Sequence, residues 1–299
     1  MSDFDVKSNF GPMYSMRFLE HLLGCPREIL RHVAQNTQHL YFPFEIPKKS
    51  GSGVRKINIP QEPLRSVQAR IKQTIFANLA FPRVIVGSVS GRSIRDHAEK
   101  HIGKKIVITL DIENFFQNVT SKKVLKVFLN TFGCSQRLAA LLTDITTHEG
   151  HLPQGASTSP TLANLAILPL IKDIVSQVEG TCKSAALSVW CDDVVISGDD
   201  EIQNFIGTVT SLAKVHGFRI NPAKINVFKN GSRQSFAGVV VNEKISYGST
   251  RVEALIRRIL KMQDIEGCER RLKSLAYHIR FLDRSQGSKA LAAIERLRH

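Results

Sequence analysis

The sequence predicts an α+β fold: helices mixed with strands around an antiparallel core hairpin, followed by a separate helical tail. Three observations predict it. LSVWCDDVVISG, residues 187–198, sets apolar runs rich in β-branched residues on both sides of Asp192 and Asp193, the pattern of a tight hairpin. KKIVITLDI, residues 104–112, reads as a buried strand ending in Asp111. Apolar residues at three- and four-residue spacing mark helices elsewhere, and everything from Arg251 onward is helical in pattern and strongly basic.

Taken in order, residues 15–40 carry helical spacing through Phe18, Leu19, Leu22 and Leu23, and again through Ile29, Leu30 and Val33. YFPFEIPKKSGSGVRKINIP (41–60) reads as strand, basic Gly/Ser turn, strand, a hairpin bearing Lys48, Lys49, Arg55 and Lys56. Residues 62–81 read as a helix with Leu64, Val67, Ile71 and Ile75 on one face. The loop GSVSGRS leads into a helix at 93–101. Helices are expected at 120–131, 135–148, 158–179 and 201–216, with HLPQGASTSP (151–160) a loop. FRINPAKINVF is strand-like around a turn, and QSFAGVVVN with ISYG forms another short hairpin.

Composition narrows the function. With 42% hydrophobic and 22% charged residues in a chain of 299, a folded protein of two or three packed subdomains is expected. Lys plus Arg number 41 against 26 acids, a net charge of +15, which favours a polyanionic partner such as nucleic acid. No run approaches the ~18 apolar residues of a spanning helix, so no membrane is expected. The polar N-terminus MSDFDVKSNFGPMYS does not read as a signal peptide. Five scattered cysteines with no C-x-x-C pair argue against zinc or a disulfide framework and suit a cytoplasmic location.

Acids at a hairpin tip are usually solvated turn residues. Asp111 alone would be a cap or turn residue. Together, a strand-terminal acid and a hairpin pair are what a two-metal phosphoryl-transfer site needs, with carboxylates on neighbouring strands around two Mg²⁺ ions. Oxygen ligands suit Mg²⁺ better than His or Cys. His97 and His101, one turn apart, could bind metal, but on a basic helix they read better as RNA or packing contacts.

The order of these motifs resembles a reverse transcriptase of the bacterial retron type, related to those of group II introns and of phage defence. VITLDIENFFQNV resembles the first palm motif, LPQGASTSPTLANL the next, VWCDDVVIS the catalytic hairpin, and NPAKINVF and QSFAGVVVN the two that follow. IPKKSGSGVRKINIP with LRSVQARI, and GRSIRDHAEKH, resemble fingers motifs. The likeness runs from about residue 41 to 245. It implies a right-hand polymerase: an N-terminal helical extension (1–40), fingers and a fingers-palm region (41–105 and 120–160), a palm (106–119 and 161–245) and a basic helical thumb (246–299).

The resemblance further implies that Asp111, Ile112, Asp192 and Asp193 hold two Mg²⁺ ions, with Mn²⁺ able to substitute. Asp193 is either a direct ligand or a support behind one. Lys48 and Arg55 would clamp the triphosphate, Gln154 and Gly155 would meet the incoming dNTP, and Phe116, ahead of Phe115, would wall off the sugar 2′ position. Lys224 would be general acid toward pyrophosphate. Trp190, Phe236 and Gly238 would touch the primer strand, and Arg270, Arg271 and Lys273 the RNA–DNA hybrid. Implied partners are a structured noncoding RNA serving as template and primer, and an effector protein. The chain departs from the retron pattern at Trp190-Cys191 (for Tyr-Ala), His97 (for Asn) and Phe236-Ala237 (for Val-Thr). The rival readings are a noncatalytic RNA-binding scaffold on the same fold and an RNA-dependent RNA polymerase.

Overall fold

The computed structural model describes residues 4–6, 11–47, 53–77, 79–248, 252–254, 256–257 and 269–295. The N-terminal helical stretch is two helices, α1 (Met16–Leu23) and α2 (Arg27–Asn36), where the periodicity predicts one. Gly24 takes a left-handed conformation (φ 55°) and caps α1, and Pro26 starts a new helix. The hairpin β1 (Tyr41–Pro47) and β2 (Val54–Pro60) pairs Tyr41 with Pro60 and Pro47 with Val54. Lys48 and Lys49 at its turn lie outside the described residues. Helix α3 (Leu64–Thr74) is shorter than its apolar pattern, because Ile75 and Phe76 enter a loop and are buried there. Helix α4 (Ile94–Glu99) follows, opened by Ser93 and Asp96 in a reciprocal capping box.

The central sheet has the order β4-β5-β3-β6 and is antiparallel throughout, built from β3 (Ile106–Asp111), β4 (Ala186–Trp190), β5 (Asp193–Gly198) and β6 (Asn226–Lys229). Side chains alternate across a sheet, so its two faces can be read from the register. Ile106, Ile108 and Leu110 of β3 join Val189, Val194 and Ile196 in the main core. Helices α5 (Phe115–Asn118), α6 (Ser121–Asn130), α7 (Gln136–Thr146), α8 (Ser159–Thr181) and α9 (Phe205–Val215) contribute to the same core. The opposite face carries the rows Asp111–Asp193–Trp190 and Thr109–Val195–Ser188. Below them a second apolar cluster joins Val107 and Val195 to Ala98, Phe236, Val239 and Leu282.

Helix α8 corrects the expectation that no segment matches a membrane span. Its 23 residues, with mean hydropathy 1.3 over the best window, pass by length and composition. Burial explains the composition: Leu162, Ile167, Leu170, Ile171 and Ile174 face the core and are at most 1% exposed.

The expected hairpin between QSFAGVVVN and ISYG forms instead within the first segment. Strands β7 (Ser235–Phe236) and β8 (Val239–Val240) pair around Ala237 and Gly238, and one bridge, Val240–Ser246, reaches ISYG. Both turn residues have positive φ, which Gly238 accepts freely and Ala237 does not. The tail contains α10 (Glu269–Leu282) and α11 (Arg284–Glu295), packed on each other through Ala276, Ile279, Ala290 and Ile294. Lys244 pairs with Asp283 at 3.2 Å, and Arg95 Nη1 donates to the Phe281 carbonyl at 3.0 Å, tying the tail to the sheet side.

Candidate active site

The fold brings residues 82 positions apart into register. Asp111, last in β3, lies opposite Asp193, first in β5, and the Ile112 amide donates to the Asp192 carbonyl at 2.9 Å. The hairpin loop is therefore Cys191-Asp192, with Cys191 left-handed (φ 57°), and Asp193 belongs to the strand rather than the turn. Thr109, Asp111, Asp193, Val195, Lys224, Asn226, Ser235, Phe236 and Ala237 enclose a cavity of about 220 Å³.

Electrostatics at this point are unbalanced toward negative charge. Burial raises the Asp192 carboxyl, and the Asp111 charge adds to the rise, while Lys224 and Arg55 oppose it. Asp193 is pushed up to about 6, first by burial and then by the charges of Asp192 and Asp111. Lys224, in the short turn after Asn221, donates its ammonium to Asp111 Oδ2 at 2.7 Å, and that bond raises its own pKa. Among the described residues no three His, Cys, Asp or Glu side chains converge into a finished ligand cage. The donor set still fits a hard divalent cation. It offers carboxylates short of positive charge, and one already attracts an ammonium.

The remaining predicted residues fall around this centre. Arg55 is exposed on β2, with its charge reaching Asp192. Phe115 is 3% exposed and in the core, whereas Phe116 is half-buried. The Gln154 carbonyl accepts from the Asn58 amide at 2.7 Å, so the 151–160 loop is pinned to β2. Gly155 (φ 120°) is required there: a Cβ would lie 2.6 Å from the Asn58 carbonyl oxygen. Trp190 pairs with Asp193, and Phe236 lines the cavity. Gly238 sits in the adjoining β7–β8 turn. Arg270 and Arg271 belong to α10, although their side chains lie outside the described residues; Lys273 is half-buried on the same helix. His97 and His101 are fully buried and bonded to serines, which makes them packing residues.

A support beneath the hairpin escapes sequence reasoning. Residues 84–87 bind the free edge of β4: Val189 N donates to the Val84 carbonyl, and Val86 and Gly87 donate to that of Val189. Asn164 on α8 donates to the Gly87 carbonyl at 2.8 Å. A Cβ on Gly87 would meet the Cys191 amide nitrogen at 2.6 Å, so only glycine lets the loop approach the hairpin tip. Arg92 donates to the carbonyls of Phe81, Pro82 and Ile85, holding the loop closed. The one signal available in sequence is Asn164 itself, a polar residue in the apolar run TLANLAIL.

Residues 46–255 match the family described as reverse transcriptase (RNA-dependent DNA polymerase). The chain belongs to the reverse transcriptase family. This reverse transcriptase is 28% identical to the Retron Mx65 reverse transcriptase of Myxococcus xanthus, over 95% of its own length and 69% of the relative's. It is 28% identical to the Retron Se72 reverse transcriptase of Salmonella heidelberg (73% of this chain, 57% of the relative). It is 26% identical to the Retron Ec86 reverse transcriptase of Escherichia coli (78% and 73%). These three relatives are all reverse transcriptases of retrons. Telomerase structures share its fold. That of Candida albicans with a fragment of telomeric RNA has TM-score 0.52 at 12% identity, covering 89% of this chain and 58% of its own. That of apo telomerase from Candida tropicalis has TM-score 0.55 at 11% identity, covering 95% and 61%. At such identities the likeness shows the right-hand fold alone.

Proposed function

We propose that this reverse transcriptase copies one dedicated structured RNA into DNA in a retron, at the site formed by Asp111, Asp192 and Asp193. The observation that carries the reading is the register of Asp111 against Asp193, with Asp192 beside them, inside a chain of this family. Two Mg²⁺ ions held by these acids and the Ile112 carbonyl, or Mn²⁺ in their place, would activate the primer hydroxyl and neutralise the triphosphate.

The chain's own groups do the positioning. Burial and the neighbouring acids make Asp192 and Asp193 costly to ionise, a cost that a bound cation would offset. Arg55, with Lys48 seven positions before it across the hairpin turn, grips the triphosphate of a dNTP; a guanidinium fork matches phosphate geometry. Gln154 contacts the nucleotide from a loop that Gly155 allows close to β2. Phe116, the more exposed of the two rings, rejects a 2′-hydroxyl by contact. Lys224 carries a proton at neutral pH and would give it to pyrophosphate. Trp190, Phe236 and Gly238 bear on the primer strand.

The subdomains follow the stated limits: extension 1–40, fingers 41–105 and 120–160, palm 106–119 and 161–245, thumb 246–299. Arg270, Arg271 and Lys273 of the thumb contact the RNA–DNA hybrid. The reading extends to a cytoplasmic enzyme whose DNA product stays with its RNA and an effector protein in phage defence. Sequencing the nucleic acid that copurifies with the protein tests it. A single RNA accompanied by DNA complementary to part of it is expected; heterogeneous RNA without DNA would refute it.

A further inference from the structure

We propose that His97 is a positioning residue for the catalytic hairpin: a hydrogen-bonded chain Ser197–His101–Ser188–His97 fixes its imidazole, and the imidazole seats Trp190, the strand partner of Asp193. This rests on the polymerase reading above. His97 and His101 lie at the end of α4 and just after it, each 0% exposed. His101 Nδ1 is 2.7 Å from Ser197 Oγ on β5, and its Nε2 is 2.6 Å from Ser188 Oγ on β4. One ring thus bridges the two strands of the hairpin. Ser188 Oγ in turn is 2.7 Å from His97 Nδ1.

Proton counting makes the chain directional. Ser188 Oγ also lies 3.5 Å from the His97 carbonyl, but its contacts to the two imidazoles, 2.6 and 2.7 Å, are much shorter, so its one hydroxyl proton goes to one imidazole and it accepts from the other. Burial holds both imidazoles well below their ordinary pKa, His97 at about 3, so each is neutral and has one N–H. The far nitrogen of His97, Nε2, is buried with no hydrogen-bond partner. The rings packed on His97 are Phe236, 4.9 Å away and edge-on at 81°, and Trp190, 5.8 Å away at 36°. Aromatic rings accept weakly from an N–H and repel a lone pair, which favours a proton on Nε2. The chain then runs from Ser197 through His101 and Ser188 to His97.

Burying four polar side chains where an apolar ring would pack is costly unless orientation matters. His97 touches both of the other rings in this cluster, Trp190 and Phe236. From the imidazole to the acids the path is short: His97 to Trp190, then Trp190 to Asp193 across the β4–β5 pair, then Asp193 to Asp111 across β5–β3.

Trp190 is the chain's one tryptophan, so emission excited at the red edge of the band, where the four tyrosines do not absorb, reports on it alone. The test uses the full chain with His97→Phe, which keeps a ring and removes the hydrogen bond, and the cycle His97→Asn, Phe236→Val and their double variant. Each is measured for thermal midpoint, Trp190 emission, and kcat and KM for dNTP on an RNA template. His97→Phe is expected to keep its midpoint, shift the emission and lose about 10- to 100-fold in kcat with KM little changed, as a small misplacement of reacting groups would cause. The double variant is expected to be more active than the product of the single losses predicts. Should His97→Phe fail to fold, Ser197→Ala, which removes only the far end of the chain, is expected to shift emission and lower kcat in the same direction. Unchanged kcat, or losses that follow the midpoint with emission constant, would overturn the proposal. A wild-type protein inert with dNTP would instead sink the polymerase reading, and emission with midpoint would still judge the His97–Trp190 contact.

Discussion

Replacing Asp193 by Asn should make the metal-free protein more stable while disabling it. The Asp193 carboxyl is moved from an ordinary 3.8 to about 6 by burial and by its acidic neighbours. At 1.36 kcal/mol per pH unit, ionising it in the folded protein costs about 3 kcal/mol relative to the unfolded chain. A raised carboxylate pKa means that the folded state binds the proton more tightly, so the cost is fully present above about 6 and fades toward 3.8 as pH falls. Asn has the same shape and carries no charge to desolvate. Chemical denaturation in a chelator at neutral pH should show Asp193→Asn more stable by about 2–3 kcal/mol, with the gain shrinking on acidification through that window. Added Mg²⁺ should narrow the gap by stabilising the wild type alone. A variant no more stable than wild type at neutral pH, or a gain that does not shrink as pH falls, would refute the reasoning.

Three further outcomes are expected. Phe116→Ala should raise NTP use relative to dNTP by at least about tenfold, measured as a ratio of kcat/KM values, whereas Phe115→Ala should mainly destabilise the core. Gly155→Ala forces a Cβ against the Asn58 carbonyl at φ 120° and should cost about 2–4 kcal/mol in denaturation experiments. Neutralising Arg270, Arg271 and Lys273 together should reduce the salt slope of hybrid binding by about 2–3, and an unchanged slope would make the tail a surface for something other than phosphate.

The parts of the fold legible in sequence are those whose signal is local. Strands β3 and β5 announce themselves as unbroken apolar, β-branched runs because both are buried, whereas the register that sets Asp111 against Asp193 is a long-range pairing that only the fold supplies. The break between α1 and α2 was written in Gly24-Cys25-Pro26, but apolar spacing resumes on the far side and disguises it. Helix α3 stops early because Ile75 and Phe76 are buried by distant partners, which periodicity cannot distinguish from a continuing helix face. The support of the hairpin tip was invisible for the same reason. Asn164 and Gly87 are 77 positions apart, and neither means anything without the other. His97 and His101 show the same limit: their spacing allowed metal, RNA or packing, and only the serines of β4 and β5 decide for packing.

The most direct test is primer extension on an RNA template with Mg²⁺, comparing dNTP with NTP in the wild type and in Asp192→Ala plus Asp193→Ala. DNA synthesis from dNTP by the wild type, lost in the double variant while RNA binding persists, is the predicted result. Extension with NTP in preference to dNTP, or dNTP incorporation that survives loss of both acids, would contradict the account.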